Sequence, residues 1–206
     1  MIPFSRKSPT QQNIPTSPDY AETHYTHYNR GFIHSDSGMY REAIEAYRQA
    51  IQIKPDFAEA HNNLGFACYK LDLREEAIEA FKQAIQIKPD IVKAHNNLGT
   101  THYSSGMYQE AIEAYKQAIQ IKPDYAEAHN NLGLAYGRSG MYQDQEAIGA
   151  FKEAIRVKPD YVDAHYNLGI CYVILNNKSS ALGEYNVLKI LDPQSAIKLF
   201  NLIHKR

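Results

Sequence analysis

The stretch KPDYAEAHNNLG, Lys122 to Gly133, decides the fold because it recurs along the chain. It returns as KPDFAEAHNNLG at Lys54 to Gly65, KPDIVKAHNNLG at Lys88 to Gly99 and KPDYVDAHYNLG at Lys158 to Gly169. Pro-Asp also stands at Pro18-Asp19, and Pro193 follows the last copy without its aspartate. Of the five intervals between these prolines, three are 34 residues, the first is three longer and the fourth two longer. Alignment on Gly31, Gly65, Gly99, Gly133 and Gly169 gives five units, the mark of a repeat architecture. The phrase also poses a chemical question. Asparagine is a poor helix former because its amide competes for backbone groups, yet Asn130 and Asn131 fall in the middle of a helical pattern.

Each unit carries apolar and small residues at helical spacing, twice. The first helix shows His61, Leu64, Gly65 and Cys68 at i, i+3, i+4 and i+7, and the second shows Ala77, Phe81 and Ala84 on one face. Gly38, Gly106 and Gly140 mark the turn between them, with Asp72 and Asn176 in the same place in two units. Asp56 with Glu59, and Asp124 with Glu127, have capping-box spacing, and Lys54, Lys88, Lys122 and Lys158 suit a helix C-terminus. Two extra residues near Gln143 to Gln145 would rotate a helix face by roughly 200°. They are therefore expected in the turn or at the helix start. Such a helix pair cannot bury a core alone, and stacking pairs into a solenoid does.

The pattern resembles the tetratricopeptide repeat over residues 24 to 193. The resemblance rests on the Leu-Gly pair, the post-turn tyrosine (Tyr40, Tyr108, Tyr142), the alanine–aromatic–alanine face and the closing proline. Departures are local: Arg30 for the leucine, Leu188 for the second alanine, and Arg74 and Lys178 for the tyrosine. The resemblance implies an all-α, right-handed superhelical solenoid of five helix pairs. The expected units are about 24–57, 58–91, 92–125, 126–161 and 162–195, within a repeat region of 19–193. The tail 194–206, with Ala196, Leu199, Phe200 and Ile203 on one stripe, is expected to cap the last seam.

Composition narrows the function. Hydrophobic content of 44% over 206 residues supports a buried core. The 22 basic residues against 23 acidic ones lack the footprint of a general nucleic-acid binder. Cys68 and Cys171 are too few for a disulfide framework or zinc ribbon and are expected to be reduced thiols of a cytoplasmic protein. No apolar run is long enough to span a membrane. The opening MIPFSRKSPTQQNIPTSP lacks the apolar core of a secretory signal, and its composition predicts a disordered leader over residues 1–18.

Counting Ala58 as position 1 of its unit, position 6 is asparagine throughout: Asn29, Asn63, Asn97, Asn131 and Asn167. Position 5 adds Asn62, Asn96 and Asn130, with Tyr28 and Tyr166 in the end units. The family resemblance implies that first helices line a concave surface. An amide there offers two donors and an acceptor, which suits a peptide backbone. The superhelical domain of O-linked N-acetylglucosamine transferases is similar in this respect, and its asparagine ladder implies the same use here. Two alternatives stay open: repeated asparagines as a relic of recent duplication, and Asn62 and its equivalents as helix-to-helix hydrogen bonders. Phe66, Tyr69, Lys93, Tyr103, Leu134 and Arg138 complete the expected peptide-binding groove. The carboxylate-clamp variant of the family does not fit. Lys93 matches one of its positions, but asparagine holds its arginine position and position 5 has no basic residue.

The histidine column at position 4 (His27, His61, His95, His129, His165) cannot share a metal ion, since equivalent sites on packed helices lie about 10 Å apart and zinc requires ligands about 2 Å away. These rings lie on the packing stripe and are expected to be semi-buried. No nucleophile elbow, phosphate loop or HExxH sequence appears, so neither enzyme activity nor a cofactor is expected. The transferase resemblance covers repeats alone. The sequence thus points to a scaffold binding an extended peptide segment of a partner protein. The rival is a self-assembling module that forms homo-oligomers through its end seams or leader.

Overall fold

The computed structural model describes residues 23–139 and 144–205; the leader over 1–18, Gly140 and Tyr142 lie outside the described residues. Eleven α-helices follow in order among them: α1 (His24–Asp36), α2 (Tyr40–Ile53), α3 (Ala58–Lys70), α4 (Arg74–Ile87), α5 (Val92–Ser104), α6 (Tyr108–Ile121), α7 (Ala126–Ser139), α8 (Asp144–Val157), α9 (Val162–Ile174), α10 (Lys178–Leu191) and α11 (Pro193–His204). Each odd helix packs on the even helix that follows, and each even helix packs on the first helix of the next unit. The result is a right-handed superhelical solenoid of five helix pairs, ended by α11.

One close contact recurs within the first four pairs. A Cβ added at Gly31, Gly65, Gly99 or Gly133 would fall 2.7, 2.8, 2.7 or 2.6 Å from the ring of Tyr47, Phe81, Tyr115 or Phe151. The aromatic of the second helix lies flat on the glycine of the first, and no side chain fits between them. Alanines flank the ring: Ala43, Ala50, Ala77, Ala84, Ala111 and Ala118 are all fully buried. The small–aromatic–small face read from the sequence is therefore the interior of the solenoid.

The turns within units use left-handed backbone, with φ of +75° at Gly38, +77° at Gly106, +61° at Asp72 and +54° at Asn176. Asp and Asn are the side chains that tolerate this region best, which explains their substitution for glycine. Backbone bonds such as Met39 N–H to His34 O and Leu73 N–H to Cys68 O close these helix ends.

The predicted capping box is absent at α3, whose N-cap is Phe57 with no side-chain cap bond. Lys54 to Phe57 form a turn, with Phe57 N–H donating to Lys54 O at 3.2 Å, and the helix begins only after it. Phe57 is buried at 6% exposure, so burial of its ring fixes the helix start in place of a polar cap. The two-residue insertion leaves α8 at 14 residues, the length of the other second helices. Helix α7 is one residue longer than α5, and the interval 140–143 is one longer than 105–107.

The last unit closes differently. Tyr185 occupies the aromatic position, but Gly169 is met by Leu199 of α11, whose Cδ2 would lie 2.5 Å from an added Cβ. Tyr185 instead stacks against Phe200 at 5.3 Å. Leu188, Ala196 and Leu199 form a buried cluster that seals this end. Asp192 caps α11 through Gln194 and Ser195 N–H, with Pro193 at the first helical position, where a missing N–H costs nothing.

Candidate peptide-binding groove

The first helices of successive units touch one another directly (α1 with α3, α3 with α5, α5 with α7, α7 with α9), and the second helices do not. The odd helices thus form the inner, concave layer.

On that layer the paired asparagines divide their labour. The position-6 amide of the second to fifth units donates to the position-5 residue of the unit before: Asn63 Nδ2 to Tyr28 Oη at 3.1 Å, Asn97 to Asn62 Oδ1 at 3.3 Å, Asn131 to Asn96 Oδ1 at 3.2 Å and Asn167 to Asn130 Oδ1 at 3.0 Å. Position 5 is interior, with Asn62, Asn96 and Asn130 at 7%, 1% and 4% exposure. Asn63, Asn97, Asn131 and Asn167 are half-buried, each fixed by its bond to the neighbouring unit. Asn29 is exposed, since no described unit precedes it to receive its amide. Tyr28 stands where the three middle units have asparagine, and burial raises its hydroxyl pKa while the Asn63 hydrogen bond opposes the rise.

A second ladder runs behind this one. His61, His95, His129 and His165 each bond through Nε2 to the proline carbonyl six residues back, Pro55, Pro89, Pro123 and Pro159, at 2.8–2.9 Å. The histidine column therefore ties each inter-unit turn to its first helix. His165 also holds Glu184 at 2.7 Å through Nδ1, linking α9 to α10.

The remaining expected groove residues fall into three settings. Phe66 and Tyr69 pack against the core of the first three units, with Phe66 edge-on to Tyr40 of the preceding unit. Tyr103 packs beneath the third and fourth units, edge-on to Tyr108, and Leu134 packs against the fourth unit's core. Lys93 and Arg138 are exposed, Arg138 beside the Tyr103 hydroxyl.

Among the described residues, two recesses open on the concave face. One, of about 410 Å³, brings Asn63 and Phe66 together with Phe32, Asp36 and Lys70. The other, of about 470 Å³, brings Asn167, Tyr103, Leu134 and Arg138 together with Gly137, Ile170 and Ile174. Asn29, Tyr69, Lys93, Asn97 and Asn131 line neither. Sequence reasoning passed over Gly137 and Ile174; their signal is the departure from Tyr69 and Tyr103 at position 12 and from Lys70 at position 13.

A TPR repeat model matches residues 31–72, 101–140 and 143–174, more than half of the sequence, and a tetratricopeptide repeat model matches 58–91. The chain belongs to the tetratricopeptide repeat family. Among solved structures, MamA is 26% identical over 86% of this chain and 92% of its own, with a TM-score of 0.69. YrrB, a TPR protein with an unusual peptide-binding site, is 21% identical over 87% of this chain and 92% of its own, with a TM-score of 0.69. The pilF protein of Pseudomonas aeruginosa is 19% identical over 87% of this chain and 85% of its own, with a TM-score of 0.76. The last two share the fold at this level of identity. No curated protein matches the sequence. Among the described residues no helix is long and apolar enough to cross a membrane.

Proposed function

We propose that this tetratricopeptide repeat protein is a non-catalytic scaffold whose concave groove holds an extended segment of a partner protein. The observation that carries the reading is the position-6 row. Each amide has one N–H committed to the preceding unit, and a primary amide has a second N–H to offer. A regular series of pre-oriented donors suits the regular carbonyls of an extended backbone, and pre-orientation lowers the entropic cost of binding. Membership of a family that binds peptides and proteins supports this, as does the peptide-binding site of YrrB. We place the protein in the cytoplasm, since Cys68 is a buried thiol that burial pushes up to about 11, which suits an inert thiol in a reducing compartment.

The test is an array of random-sequence peptides probed with wild type and with the Asn97→Ala/Asn131→Ala variant, at a temperature where circular dichroism shows both fully helical. Retention of peptides by wild type and its loss in the variant are expected. Equal retention by both proteins counts against the groove.

A second reading, self-association through the first unit, rests on its open seam. Thr26 is exposed and Ile33 is 63% exposed, whereas Ala60, Ala94, Ala128 and Ala164 at position 3, and Ala67, Thr101 and Ala135 at position 10, are fully buried against preceding units. Sedimentation equilibrium decides it. Association lost on Ile33→Glu supports the reading, and a wild-type monomer at every concentration refutes it.

A further inference from the structure

The concave face is chemically uneven along its length, and one helix glycine is the reason. At position 12 the second and third units carry Tyr69 and Tyr103, and the fourth carries Gly137. A Cβ built on Gly137 meets nothing within 4 Å, while Gly133, one turn earlier, is pressed against Phe151. Glycine within a helix is unfavourable relative to alanine, and close packing does not account for it at this position. Its missing side chain leaves open the recess of about 470 Å³ between α7 and α9, a volume within the range of about 300–1,000 Å³ typical of ligand pockets.

Leu134, Ile170 and Ile174, the last 69% exposed, line it beside the Tyr103 and Phe151 rings and the Asn167 amide. Arg138 is the only charged residue among the described residues lining the recess, and it lies beside the Tyr103 hydroxyl. The recess over the first two units differs, because Asp36 and Lys70 give it both signs of charge. A cation that is the one charge among the described residues lining the recess, set beside an apolar wall, selects for an anion next to an apolar group, and a low-dielectric wall strengthens such a pairing.

We propose that this recess receives an aliphatic side chain from an internal stretch of an extended partner peptide, with Arg138 pairing to an aspartate or glutamate carboxylate near it in that peptide. The proposal rests on the groove reading and adds the sequence class of the partner. Arg138 and Gly137 are its specificity-determining residues, and the asparagine row supplies sequence-independent hold.

The experiment is fluorescence anisotropy at low salt with Ser/Gly peptides amidated at the C-terminus and carrying the same fluorescein label, so that the central side chain is the only carboxylate that differs among them. Their centres read Leu-Ser-Asp, Leu-Ser-Asn, Leu-Ser-Lys and Ala-Ser-Asp. The Leu-Ser-Asp peptide binds tightest to wild type, the Asn exchange weakens it about fivefold, and the Ala exchange weakens it about tenfold. Arg138→Glu reverses the order of the Asp and Lys peptides, and Gly137→Leu abolishes the advantage of leucine over alanine. Equal affinities for the four peptides, or an Asp preference that survives Arg138→Glu, overturn the proposal. If all four bind alike and Asn97→Ala/Asn131→Ala weakens them alike, the sequence class alone fails. Binding by none of them, or binding indifferent to the asparagine changes, overturns the groove reading with it.

Discussion

The two adjacent asparagines of HNNLG do different things, and the difference yields predictions residue by residue. Asn96 is 1% exposed, accepts from Asn131 and donates to Glu127 Oε1 at 3.1 Å. Asn96→Ala strands these partners, and urea unfolding should show a loss of about 1–3 kcal/mol. Asn29→Ala, on the exposed end, should stay within about 0.5 kcal/mol of wild type. A pH effect belongs to His102, which is 7% exposed and whose pKa burial lowers from the ordinary 6.5. The folded form binds this proton less readily than the unfolded chain, so the neutral ring's contribution is full above the unfolded value and is lost as pH falls through the folded one. His102→Tyr, the residue found at the same position as Tyr136 and Tyr172, should flatten stability over that acid range in melts at stepped pH. Sequence periodicity placed positions 5 and 6 on one helix but could not show which of two neighbours turns to the next unit. That depends on the angle between units, which no single helix encodes.

At the scale of elements, the glycines separate close packing from open space. Gly99→Ala forces a methyl to 2.7 Å from the Tyr115 ring and should cost about 1–3 kcal/mol by overpacking. Gly137→Ala meets open space and should be neutral or stabilising by up to about 1 kcal/mol. Thermal melts of the two variants side by side give the comparison. Leu199→Ala should cost about 2–5 kcal/mol, because Leu199 is fully buried and fills the place of an aromatic over Gly169. The stripe of α11 was legible from Ala196, Leu199 and Ile203. Its grip on Gly169 was not, because Tyr185 offers an aromatic at the expected place and only the packed structure shows it turned toward Phe200. The capping box of α3 misled for a related reason: Asp56 and Glu59 at the right spacing did not outweigh burial of Phe57.

Across the whole molecule, each unit contacts chiefly its neighbours, so stability is a sum of unit and interface contributions. The array and its five units follow from the recurrence of one phrase, which is why the architecture could be read from sequence. The groove was legible as a row of amides, while its chemical unevenness came from an absent side chain that a residue pattern does not advertise. The central claim is that these amides hold a partner's backbone while remaining bonded to the preceding unit. Side-chain amide NMR of the protein, titrated with a peptide retained by the array, tests it most directly. The Nδ2–H₂ signals of Asn63, Asn97 and Asn131 should shift together, and that of Gln117, exposed on a second helix, should not. Asparagine signals that stay in place while second-helix signals move would contradict the account.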